Sequence, residues 1–67
     1  MTKRIELIQK HAQGLEQAGI VEFKGFSGKP TTAEVAFQAP AICQMHSSAG
    51  DVFNLTRDGI WLVATKA

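Results

Sequence analysis

The chain predicts an α+β fold, with one N-terminal amphipathic helix packed on an antiparallel sheet of three to five strands. Three observations carry this prediction. Residues 3–18 place apolar side chains at helical spacing, residues 20–26 switch to alternation, and residues 52–65 form two apolar runs around Asp58 and Gly59. At 67 residues there is room for a single small domain, 1–67. A chain of this size buries only about 60% of the surface exposed by its unfolded form, so its own core is marginal.

In the helical stretch, Ile5, Leu7, Ile8, His11, Ala12, Leu15 and Ala18 fall within one arc of roughly 160°. Glu6, Gln9, Lys10, Gln13, Glu16 and Gln17 take the opposite arc. Thr2 suits the N-cap, and Glu6 with Lys10 forms an i,i+4 pair in the favourable order. Gly14 weakens the helix interior. Gly19 stands where a left-handed stop is wanted, and Ile20 then reaches Leu15.

From Ile20 the period becomes two: Val21 and Phe23 alternate with Glu22 and Lys24, a half-exposed strand. Ser27, Gly28, Lys29 and Pro30 have turn chemistry. Residues 33–38 alternate again, so Val35 and Phe37 are expected beside Val21 and Phe23 in a hairpin. The rival reading is a second helix around 32–46. Thr31, Thr32, Ala33 and Glu34 fit a capping box, and the segment is rich in alanine. Pro40 would then fall inside that helix at a cost of about 3 kcal/mol, which favours the strand.

Residues 41–46 offer a further short strand, and 47–50 a loop. The terminal hairpin admits two registers. A two-residue Asp58-Gly59 turn opposes Thr56 to Trp61 and Asn54 to Val63. A three-residue turn opposes Leu55 to Trp61 and Phe53 to Val63, which keeps the large apolar groups together and is preferred. The expected core is Ile5, Ile8, Leu15, Val21, Phe23, Val35, Phe37, Phe53, Leu55, Trp61 and Val63. Val52, Ile60 and Leu62 then point outward as an apolar patch available to a protein partner.

Composition narrows the function classes. The net charge of +1 supplies no strong field for a polyanion, and 45% hydrophobic with 19% charged residues is globular. One cysteine forms no internal disulfide and suits a reducing, cytoplasmic setting. The longest uncharged stretch is broken by Pro40, so no membrane span is expected. The first residues lack the apolar core of a signal peptide.

Motifs that would carry chemistry fail on spacing. Gly25, Phe26, Ser27, Gly28 and Lys29 have two residues between the glycines where a P-loop has four, and Pro30 follows the lysine. The same residues lack one position of a nucleophile elbow. Cys43 and His46, with Asp51 as an orienting acid, could form a nucleophilic pair. With His11 they supply too few ligands for zinc, and a small buried cysteine is the simpler reading. Glu22 and Glu34 would face each other across the first hairpin on an ordinary charged surface. Asn54, Leu55 and Thr56 match a glycosylation sequon inside a strand. No catalytic, metal or cofactor residue is assigned.

Residues 15–22, followed by a predicted hairpin, resemble the helix-to-wing junction of winged-helix DNA-binding domains. That resemblance implies a nucleic-acid-binding regulator, with Lys3, Arg4, Lys10, Lys24, Lys29 and Arg57 as candidate phosphate contacts. The family places two helices ahead of the junction, for which this chain has no room. With no tyrosine and a single tryptophan, stacking on single strands is poorly supplied. The favoured expectation is a small non-enzymatic protein-interaction module (inhibitor, adaptor or assembly subunit) that self-associates. Nucleic-acid binding is the alternative.

Overall fold

A computed structural model describes residues 4–67. In chain order the elements are β1 (Arg4–Leu7), α1 (Gln9–Gln17), β2 (Val21–Gly25), β3 (Pro30–Thr31), α2 (Ala33–Gln38), a 3-10 turn (Pro40–Ile42), β4 (Cys43–Ser47), β5 (Val52–Asp58) and β6 (Trp61–Lys66). Among the described residues the strands form one antiparallel sheet of six in the order β1-β6-β5-β4-β2-β3. Both helices pack on it, so the fold is α+β as expected, with one strand and one helix more than the preferred reading.

The first difference lies in residues 4–7. Ile5 and Leu7 fit the helical arc, but their i,i+2 spacing with Arg4 and Glu6 between also fits a strand. Pairing with β6 decides for the strand: Arg4, Ile5, Glu6 and Leu7 stand opposite Thr65, Ala64, Val63 and Leu62. The helix therefore starts at Gln9 without a side-chain cap. Glu6 pairs with Arg4 (3.0 Å), not with Lys10. The expected Thr2 cap and Lys3 lie outside the described residues. His11, expected at the core edge, is exposed.

The helix end is as its sequence predicts. Gly19 takes φ +74°, its N–H donates to the Glu16 carbonyl (3.1 Å), and the Ile20 N–H donates to the Leu15 carbonyl (3.0 Å). Those two bonds define a Schellman stop, which turns the chain straight into β2.

Residues 33–38 are helix, which corrects the preferred strand and the Val21/Phe23 pairing with Val35/Phe37. Ala33, Ala36 and Phe37 are buried at i, i+3 and i+4, a helical stripe. Thr32 caps the helix, its Oγ1 accepting from the Val35 N–H (3.3 Å). The Ala33 N–H donates to Glu16 Oε2 (3.1 Å), a carboxylate from α1 that meets the orphan amides of α2. Pro40 does not sit inside this helix. Ala39 leaves helical geometry at φ −138°, ψ 65°, and Pro40 opens the 3-10 turn instead.

β2 lies between β3 and β4: Phe23 stands opposite Thr31 on one side and Met45 on the other, and Glu22 stands opposite His46 and not Glu34. In the terminal hairpin Asp58 stands opposite Trp61, so the turn is Gly59-Ile60. Gly59 has φ +60° and Ile60 a negative φ, the type II′ pattern with glycine first. This register places Thr56 opposite Val63 and Leu55 opposite Ala64. It is odd relative to the preferred three-residue turn, so every side chain of β6 is on the other face from that expected.

The core follows from this parity. Phe23, Phe53, Met45, Leu62 and Cys43 are the largest fully buried side chains, joined by Leu7, Val21, Phe37 and Leu55 and partly by Ile5 and Leu15. Leu62, expected outward, is 0% exposed. Trp61, expected in the core, is 42% exposed on the uncovered sheet face. Val63 is buried on that same face, between Glu6 and Thr56. Ile8 and Val35, also expected inside, are exposed.

Candidate functional site

The uncovered face of the sheet is mostly polar, with Trp61, Val63 and Val52 as its apolar residues. Alternation sends Arg4, Thr65, Asn54, Gln44 and Lys24 to this side in one transverse row, with Gln44 Nε2 donating to Asn54 Oδ1 at 3.3 Å. Two of its cations are locally neutralised, Arg4 by Glu6 and Lys24 by Glu22 (3.5 Å). Exposed apolar surface collects elsewhere, beside the short edge strand β3.

There, β2 ends at Gly25 and the chain turns back through Gly28 at φ +86°. The Gly28 N–H donates to the Gly25 carbonyl (2.9 Å), and the Gly25 N–H to the Lys29 carbonyl (2.8 Å). This tight closure leaves the Phe26 ring at the tip with no core to enter, 63% exposed. Across from it, burial of Ala36 and Phe37 directs the opposite side of α2 outward, and with it Val35 (40% exposed). The 3-10 turn presents Ile42 (61% exposed). The three side chains border one open groove of about 440 Å³ that has buried Cys43 among its lining residues. Among the described residues Lys29 is the single charged one in the lining.

Burial raises the Cys43 pKa above its ordinary value, which favours the neutral thiol over the nucleophilic thiolate. His46 lies three residues along the same strand, on the opposite face, so the Cys43–His46 pair cannot converge. Asp51, the proposed orienting acid, pairs instead with Lys66 (3.2 Å). Among the described residues no group of three or more His, Cys, Asp or Glu side chains could hold a metal, and no helix is long and apolar enough to cross a membrane.

A second cavity, about 260 Å³, opens between the end of α1 and the β4–β5 loop over Leu15, Val21, Met45 and Phe53. Its polar rim is committed to the loop itself. Ser47 Oγ accepts from the Ala49 and Asp51 N–H groups, both at 3.2 Å.

The residues expected to form an outward apolar patch are separated. Ile60 is exposed at the β5–β6 turn, Val52 is half-buried on the open face across from His46, and Leu62 is in the core. The candidate phosphate contacts are likewise dispersed. Arg4 and Lys24 occupy different strands of the open face, Lys10 is exposed on α1, and Lys29 borders the groove. Arg57 is spent on structure. Its Nε and Nη2 donate to the Gly59 carbonyl (3.1 and 2.7 Å), Nη1 donates to the Phe37 carbonyl, and its guanidinium carbon lies 5.4 Å from the Phe37 ring centroid. Ahead of the α1–Gly19–β2 junction stands β1, not the helix pair of a winged-helix domain.

Sequence reasoning missed the groove. The available signal was the Phe26 ring inside a turn of Ser, Gly, Lys and Pro, where a large apolar residue has no packing reason to be. No protein-family model, curated protein or solved structure matches the chain.

Proposed function

We propose that the chain is a small non-enzymatic protein-interaction module, an inhibitor, adaptor or assembly subunit, that self-associates and receives an apolar segment of a partner in the Phe26–Val35–Ile42 groove. The observation that carries this reading is the gathering of three large exposed apolar side chains around one concavity. Scattered apolar residues are ordinary on a protein surface, whereas a cluster is typical of a contact site. The lone Lys29 at the border suits a partner segment with a carboxylate beside its apolar anchor. The single thiol supports a reducing, cytoplasmic setting.

Selection from a displayed peptide library tests the reading. Sequences enriched on the wild-type protein should bind Phe26→Asp at least tenfold more weakly. The substitution is at an exposed turn tip, so the fold should survive it. Failure of any sequence to enrich, or equal binding to both proteins, sinks the proposal.

A further inference from the structure

The two edges of the sheet are built differently. At one, β3 has two residues, and Pro30 lacks the N–H that an added strand would use. Short length and proline are the ordinary ways of blunting an edge. At the other, β1 has four residues in unbroken register with β6, with no proline, no bulge and no lysine among them. Among the described residues nothing pairs with its outer side.

We propose that β1 is a homodimer interface, at which two copies of this chain join β1 to β1 antiparallel about a two-fold axis at Ile5. This rests on the self-association part of the proposed function and names its surface. The occupant follows from charge and parity.

Arg4 and Glu6 point to the open face and Ile5 and Leu7 to the core face. Odd registers between two copies set Ile5 or Leu7 against a charged residue and place the two helix layers on opposite sides of the joined sheet. Registers centred on Arg4 or Glu6 set like charges directly opposite, which is destabilising. A register centred on Leu7 runs Ile5 against Gln9, where α1 has begun, so the strand pairing cannot extend. Centring on Ile5 alone opposes Arg4 to the second copy's glutamate twice, and isoleucine to isoleucine on the core side. Residues 4–6 are self-complementary in that one register. The Arg4–Glu6 contact within each copy (3.0 Å) becomes part of an alternating cluster of four charges.

A single strand-to-strand seam is a small contact compared with the roughly 1,600 Å² of a stable complex, so the dimer is concentration-dependent. Opposed exposed charges also make it weaker at high salt.

Sedimentation over a concentration series at low salt is the test. The wild-type protein should approach twice its 7.2 kDa chain mass. Arg4→Glu and Glu6→Arg, each retaining wild-type circular dichroism, should stay monomeric because each sets four like charges together. An equimolar mixture of the two should recover the dimer, and the double variant R4E/E6R should dimerise like the wild type. A wild-type protein that is monomeric throughout overturns self-association and this interface together. Oligomers unmoved by both single reversals, or a mixture that fails to recover, overturn the β1 edge and leave the broader reading standing.

Discussion

Substitution of two adjacent residues in β6 tests the register on which every face assignment depends. Leu62 is 0% exposed and packs with Leu7 across the strand pair, whereas Trp61 is 42% exposed on the uncovered face opposite Asp58. Leu62→Ala removes a fully enclosed side chain and leaves a cavity, a loss of about 2–5 kcal/mol. Trp61→Ala removes a larger group from a surface where solvent fills the space. With about 25 cal/mol per Å² and no cavity term, the loss is about 1–2 kcal/mol. A 67-residue domain holds on the order of 3–10 kcal/mol in total, so the first change consumes a large share and the second does not. Urea unfolding followed by circular dichroism separates them without relying on tryptophan fluorescence. The thermal midpoint should fall by about 4–8 °C for each kcal/mol lost. The register preferred from sequence puts Trp61 in the core and demands the reverse order. A Trp61→Ala loss equal to or larger than that of Leu62→Ala refutes the argument.

The remaining consequences concern the second helix and the thiol. Thr32→Ala should cost about 1 kcal/mol by freeing the Val35 N–H, and Glu16→Ala a similar amount by freeing the Ala33 N–H, both read from urea midpoints. Losses below about 0.3 kcal/mol at both positions would mean that packing alone holds α2. Cys43 should react with a disulfide reagent far more slowly in the native protein than in urea, and equal rates would contradict its burial. Its raised pKa also has a sign. Above the ordinary thiol pKa the unfolded chain releases its proton while the native chain keeps it, so stability falls as pH rises through that window. Cys43→Ala should remove that alkaline slope, measured as urea midpoints across the window.

What the sequence made legible was local, and what it hid was tertiary. The Schellman stop at Gly19, the strand from Val21 and the turn at Gly28 each depend on neighbours within a few residues, and all three appear as expected. Residues 4–7 fit helix and strand templates equally, and the choice belongs to β6, nearly sixty residues away. For residues 33–38 the alternation of Val35 and Phe37 competed with the alanine stripe. Pro40 counted against a helix only on the assumption that the helix reached it. The terminal register failed on a packing premise, that large apolar groups must oppose one another. Val63 instead lies between Glu6 and Thr56 and is buried there by its neighbours. The groove was invisible for the same reason: Phe26, Val35 and Ile42 come from a turn, a helix and a 3-10 turn that only the fold brings together.

The sheet order gives the two proposed surfaces a relation that neither has alone. The groove is built around β3 and the self-pairing strand is β1, at opposite ends of β1-β6-β5-β4-β2-β3. Five strand spacings of about 4.8 Å separate them, so pairing at β1 neither covers the groove nor approaches it. A dimer joined there is a continuous twelve-stranded sheet with its two β3 edges about 50 Å apart before twist is counted. Both grooves stay open at its ends. Such a molecule holds two partner segments at once, and a partner presenting two segments at a matching span gains affinity through effective concentration rather than through new contacts. The groove is then only half of the binding device. A charge reversal at Arg4, distant from Phe26, should leave the affinity for a single peptide unchanged and lower the affinity for two peptides joined by a long linker. Equal loss for both ligands would mean that the edge and the groove are one surface, against the strand order.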